Sequence, residues 1–140
     1  MGQNYGVSFA SKLIEDGKYE EALQAATRDH ERDPEDPEPL VDRALALSHL
    51  ERYDDAVAEL ERALVLDKDS NTLETDFVDD ALFSALLAQA RRDANAEQGV
   101  AKLRRYLTIF PDGRHVVDVA TWSGRLRGEG KDVPIVKEHE

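Results

Sequence analysis

The phrase Tyr19-Glu20-Glu21-Ala22 is written again as Tyr53-Asp54-Asp55-Ala56, 34 residues later. The register extends beyond the phrase: Ala10 recurs as Ala44, Leu13 as Leu47 and Asp33 as Asp67. A fixed period of this length marks a stacked array in which each unit is a helical hairpin that cannot bury its apolar face alone. Such a chain folds by laying hairpin upon hairpin. The functional question therefore shifts from a catalytic pocket to a recognition surface.

Proline and glycine punctuate the pattern. The first hairpin spans residues 3–36, with Val7, Ala10, Leu13 and Ile14 at helical spacing and Phe9 paired with Leu13 at i, i+4. Gly6 would cost about 1 kcal/mol if helical, so this hairpin is expected to be the loosest. Asp16-Gly17-Lys18 turns the chain into a return helix carrying Ala22, Leu23 and Ala26. Pro34, Pro37 and Pro39 stop that helix and start the next, because proline lacks the amide hydrogen a helix interior needs but is tolerated in a first turn. The second hairpin, 37–70, turns inward Leu40, Ala44 and Leu47, then Ala56, Leu60, Ala63 and Leu64, with its turn at Arg52-Tyr53. Residues 71–79 interrupt the period and are expected to add a turn or two to the following helix. The spacing resumes over 80–113 with Phe83, Leu86, Leu87 and Ala90, a turn at Asp93-Ala94-Asn95, then Gly99, Leu103, Leu107 and Ile109. Phe110-Pro111-Asp112-Gly113 ends this hairpin. A seventh helix over 114–127 places Val116, Val119, Ala120, Trp122, Ser123 and Leu126 on or near one face, and 128–140 reads as a mobile tail.

Charge narrows the partners. The 140 residues carry a formal net charge of −12, unevenly placed. Residues 1–70 hold 18 acidic and 8 basic side chains, whereas 91–127 hold 4 acidic and 8 basic. A strongly acidic half argues against nucleic acid, which needs a basic footprint. With 41% hydrophobic residues the chain is globular, and without cysteine it has no disulfide framework. The amino terminus lacks a basic start followed by an apolar run, Gly6 stands where a myristoylation motif at Gly2 wants Ser or Thr, and no apolar stretch approaches the ~20 residues that span a bilayer. A cytoplasmic protein is expected, without membrane insertion, as a monomer or dimer.

The residues that repeat resemble the tetratricopeptide repeat family. The family's small residue in mid leading helix is met by Ala10 and Ala44, with Leu87 a departure. Its turn aromatic is met by Tyr19 and Tyr53 but replaced by Ala96, and its small residue on the return helix is met by Ala22, Ala56 and Gly99. Its closing proline is met by Pro34 and Pro111 and replaced by Lys68. The resemblance implies an all-α, right-handed superhelical array of antiparallel helix hairpins with about seven helices, the last a cap. It further implies protein binding along a concave groove lined by the leading helices. By position in the pattern, that groove presents Asn4, Val7, Ser11 and Glu15, then Glu38, Val41, Leu45, Ser48 and His49, then Ala81, Ser84, Ala88, Arg91 and Arg92. Val7, Val41 and Leu45 would form an apolar strip between ends of opposite charge. Family members that clamp chaperone carboxyl termini need lysine, arginine and asparagine where this chain has Val7, Ser11, Asp42, Ala81 and Ala85, and the acid at Asp42 would repel such a ligand.

No catalytic, metal or cofactor constellation stands out. His30, His49, His115 and His139 share no i, i+4 spacing with one another. Asp54-Asp55 and Asp79-Asp80 are sequence neighbours whose side chains diverge on a helix, and read as solvated helix starts. Gly128 and Gly130 precede no helix that could cradle phosphate. The expected function is a non-enzymatic adaptor or scaffold that takes a segment of a partner protein. The alternative is a small acidic chaperone for a secreted protein, similar in size and charge to family members serving type III secretion. A self-assembling array is a third reading, opposed by the capping helix.

Overall fold

In a computed structural model the structure describes residues 8–128, and among them every regular element is an α-helix. There are seven: α1 (Phe9–Glu15), α2 (Tyr19–Arg32), α3 (Glu38–His49), α4 (Tyr53–Ser70), α5 (Thr75–Arg92), α6 (Ala96–Ile109) and α7 (Val116–Leu126). Asn4, Gly6 and Val7, the start of the first hairpin, and the segment beyond Gly128 with Gly130 and His139 lie outside the described residues. The chain forms two compact units, Met1–Val78 and Asp79–Glu140, with the boundary inside α5.

The first unit is built on small side chains. Ala10, Leu13, Ala22, Ala25, Ala26 and Ala46 form one buried cluster with Ile14 and Leu23 packed against it. Around α3, which touches α1, α2 and α4, lie Leu40, Ala44 and Leu47, and from α4 come Ala56, Leu60 and Ala63, each 1% exposed or less. Alanine at the crossings lets helix backbones approach closely, and close packing makes each added methylene costly. A polar staple accompanies the apolar contact: Arg43 on α3 donates to Thr27 on α2 and pairs with Glu59 on α4 at 3.2 Å.

The turns of the two hairpins are superimposable in their hydrogen bonds. Gly17 N–H donates to Ile14 and Lys18 N–H to Leu13; 34 residues on, Glu51 N–H donates to Ser48 and Arg52 N–H to Leu47, at 2.8–3.0 Å throughout. Gly17 takes φ 78° and Glu51 takes φ 63°, so the second turn holds a side-chain-bearing residue in the left-handed region. That conformation costs a non-glycine residue about 1–2 kcal/mol, which the flanking helices must outweigh. At the end of α4, Asn71 is left-handed and Asp67 Oδ1 accepts from Thr72 N–H and Leu73 N–H at 2.6 and 3.0 Å. This carboxylate organises residues 71–74, after which Thr75–Asp79 join α5. Of the two apolar residues there, Val78 is buried and Phe77 is half exposed.

In the second unit Leu82, Phe83, Ala85, Leu86 and Ala90 of α5 are buried with Gly99, Val100, Leu103 and Tyr106 of α6 and Val119 and Ser123 of α7. Three apolar side chains depart from the sequence expectation. Phe9 is 65% exposed, because the first turn of α1 has its buried face at Ala10 and Leu13. Ala120 is exposed, the buried stripe of α7 running through Val119 and Ser123 instead. Tyr106, which the period did not mark, is fully buried.

At Gly99 the backbones of α5 and α6 come close together. A Cβ there would lie 2.7 Å from the carbonyl oxygen of Ala90, a backbone atom that cannot rotate away. Alanine favours a helix over glycine by about 1 kcal/mol, but overpacking costs about 1–3 kcal/mol. Gly99→Ala should therefore lower the melting temperature by several degrees; an unchanged or higher value in a thermal melt would show that α5 and α6 separate freely.

Candidate functional site

Along the leading helices of the first unit, Ser11 and Glu15 share one face of α1, and Glu38, Leu45, Ser48 and His49 lie on one side of α3. Glu15, Glu38 and His49 are exposed, while Ser11, Leu45 and Ser48 are half-buried. Val41 corrects the expected apolar strip: it is 4% exposed and belongs to the core, because α3 is packed by three other helices and has little free circumference. His49 stacks on Tyr19, ring centroids 4.4 Å apart and planes within 3°. The turn aromatic of the repeated phrase thus holds the end of α3 against the start of α2.

Beside this face is a recess of about 430 Å³ lined by Ser8, Asp29, Asp33, Asp36, Glu38 and Asp42, with Arg32, paired to Asp29 at 3.1 Å, also at its wall. Asp42 forms part of the floor at 9% exposure and accepts from Ser8 Oγ at 2.8 Å, while Ser8 also caps α1 by accepting from Ser11 N–H. Burial holds the Asp42 carboxyl above its usual range, opposed by the Ser8 hydrogen bond and reinforced by Asp29 and Asp36. Glu38 is raised as well, first by partial burial and then by Asp36, Asp42, Asp67 and Glu74. The recess concentrates negative charge that a cationic group would relieve.

In the second unit Ser84, Arg91 and Arg92 are exposed and Ala81 and Ala88 half-buried. The Arg91 guanidinium lies 5.1 Å from the centroid of the Trp122 ring, which Arg125 also approaches at 5.3 Å. Arg91 is therefore partly engaged in packing α7 as a cation over an aromatic face.

The pair Asp79-Asp80 is not the solvated helix start that the sequence suggested. Asp79 is 3% exposed, accepts from the Tyr106 hydroxyl at 2.6 Å and takes the backbone N–H of Arg114 at 3.1 Å. The Tyr106 oxygen in turn accepts from His115 N–H at 2.9 Å. Burial and the hydrogen bond to Asp79 hold the Tyr106 hydroxyl far above its usual range, so it is a permanent donor. Asp80 meets His115 Nε2 at 2.7 Å, Asp118 meets His115 Nδ1 at 2.8 Å, and the imidazole stacks on Phe83 at 4.3 Å. Burial would lower His115, but the hydrogen bonds to Asp118 and Asp80 outweigh it and leave it raised. Sequence spacing could not find this cluster, since His115 lies 35 residues beyond Asp80 and no short motif joins them. His30 is half-buried with Nδ1 lacking a hydrogen-bond partner among the described residues.

With the geometry in place, comparison with known proteins gives one match: residues 13–75 fit the tetratricopeptide repeat family model. Residues 13–75 are thus similar to the tetratricopeptide repeat family, whose members are generally protein-interaction modules, and among the described residues the array is all-α and built of helix hairpins. Neither a curated protein nor a solved structure matches it. No helix among the described residues is long and apolar enough to cross a membrane.

Two consequences can be measured. Tyr106→Phe leaves a buried Asp79 oxygen without its donor and should cost about 1–3 kcal/mol in chemical denaturation. Asp42 has a folded-state pKa above its unfolded value, so the native state is favoured below that range and penalised as pH rises through it. Asp42→Asn, which keeps an acceptor for Ser8, should raise stability at pH 7 by a few tenths of a kcal/mol or more, and the gain should vanish as pH falls through the carboxylate range. A gain independent of pH would remove the electrostatic explanation.

Proposed function

We propose that this protein is a non-enzymatic adaptor that takes a segment of a partner protein along its leading helices. The observation behind the reading is that α1 and α3 leave Ser11, Glu15, Glu38, Leu45, Ser48 and His49 at or near the surface beside the acidic recess. Core positions on the same helices are filled by residues that recur with the 34-residue period. Helix side chains that do not repeat and keep exposed surface are available for recognition, His49 through the face that its stack on Tyr19 leaves open.

The partner segment carries an apolar side chain for Leu45 and lysine or arginine for the carboxylates around Asp42. Its attachment is strengthened by charge, since a cation entering the recess relieves repulsion among Asp29, Asp36, Glu38 and Asp42. In the second unit, taken by itself, Arg91 and Arg92 are exposed guanidinium groups suited to acids of a partner protein. Asn4 and Val7 remain part of the reading through the repeat pattern, whereas Val41 contributes packing beneath the surface.

The test is quantitative affinity capture with mass spectrometry, comparing the wild-type chain with Leu45→Glu, whose fold is checked by helical circular dichroism. Specific partners should fall by at least tenfold, the effect of placing a charge in an apolar contact. If every specific partner survives in a folded variant, the leading helices are not the binding surface.

A further inference from the structure

We propose that Asp79, Asp80 and His115 bind one divalent first-row transition cation of the zinc class. One donor atom from each of the three lies within 4.8 Å of the others. Ligands at about 2.0–2.2 Å from such a cation stand roughly 3–3.5 Å apart. Asp80 Oδ1 and His115 Nε2, now 2.7 Å apart, must part by less than about 1 Å, and both must approach the Asp79 oxygen, no more than 4.8 Å away, by at most about 1–2 Å. Rotation of the Asp80 side chain supplies its share of that movement, because it is 47% exposed.

The imidazole separates this cluster from a patch of surface acids. His115 is held through Nδ1 by Asp118, which leaves Nε2 facing Asp80, and the ring is fixed by stacking on Phe83. A carboxylate behind a histidine is the arrangement that orients metal-binding imidazoles and raises their basicity. Asp79 is equally restrained: Tyr106 and the Arg114 backbone each occupy one lone pair of one oxygen, and each oxygen keeps another. Asp79 is buried while Asp80 faces solvent, so the site has a fixed floor and an open side for entry.

Charge and donor type select the cation. Among the described residues Asp79, Asp80 and Asp118 lie about a single imidazole, with the Arg114 guanidinium 3.5 Å from Asp80. A dication at Nε2 replaces at most one proton and adds charge where carboxylates are in excess. A mixed imidazole and carboxylate set favours zinc-class ions, whereas magnesium and calcium prefer oxygen alone. The bound ion would join α5 to the start of α7 within the second unit, and its effect is on that unit's stability.

The experiment is isothermal titration of the full chain with ZnCl2 and, separately, MgCl2 in a non-chelating buffer, with melting temperature followed in parallel. One zinc per chain should bind at micromolar or tighter Kd and raise the melting temperature, with magnesium at least a hundredfold weaker. Asp80→Asn and His115→Gln should abolish the site and Asp118→Asn should weaken it about 10–100-fold, while His30→Gln, His49→Gln and His139→Gln leave it unchanged. Should His115→Gln not fold, cobalt added to wild type provides the second reading: a visible absorption band that saturates at one equivalent, with loss of the His115 imidazole proton resonances. The proposal is overturned if zinc shows no saturable binding up to about 1 mM, if folded His115→Gln binds as wild type does, if magnesium competes equally, or if cobalt leaves the His115 resonances untouched.

Discussion

How near two helix backbones can come decides the rest of this fold. Where α5 and α6 cross, the Ala90 carbonyl occupies the space a methyl group would need on Gly99. Ala22 and Ala56, fully buried, stand at the corresponding points of the two earlier return helices. Small residues at the crossings shorten the distance across each hairpin, so the larger side chains around them interdigitate without voids. The repeated Tyr-acid-acid-Ala phrase is the local sequence form of this requirement. Its alanine sets the approach, its first tyrosine stacks on His49 and its acids remain in water at a helix start, where the dipole favours them.

The helices were legible because their determinants are periodic and local. Ala10, Leu13, Leu40, Ala44, Leu47, Ala56, Leu60 and Ala63 are buried where a 3.6-residue period puts them. Asp16-Gly17-Lys18 and Asp93-Ala94-Asn95 are turns for reasons of backbone chemistry that do not depend on distant residues. Val41 was misjudged because a period reports which face is apolar, not how many neighbours surround the helix. With α1, α2 and α4 all in contact, α3 buries Pro39, Val41 and Asp42 as well as its main stripe. Asp79, Tyr106 and His115 were illegible for the opposite reason. Their association is carried by hydrogen bonds across 9 to 35 residues, and nothing in the spacing records them.

Polar groups divide the molecule's two units by character. In the first, carboxylates crowd together with little compensation near Asp42, and both Asp42 and Glu38 hold their protons more readily than free acids do. In the second, Asp79, Asp80 and Asp118 each meet a partner in a hydroxyl, a backbone amide, an imidazole or a guanidinium, although Asp80 and Asp118 share the one imidazole. An uncompensated set sacrifices some stability and gains affinity for an incoming cation. A compensated set fixes helix positions. The same residue type thus stands with little compensation in one place and is tied to neighbouring elements in the other, according to what stands opposite it.

Gly113 looks in sequence like an ordinary turn glycine after Pro111-Asp112. Yet a Cβ at this position would fall 2.1 Å from the Tyr106 hydroxyl and 2.8 Å from Asp79 Oδ2. The residue is needed for its absence of volume, since it leaves room for the acid and the phenol to meet beneath the chain. Mutational tolerance here is therefore inverted with respect to chemical importance. The position that contributes no side chain to the Asp79 network is among the least replaceable in it, and even alanine, the mildest exchange, would enter as a wedge.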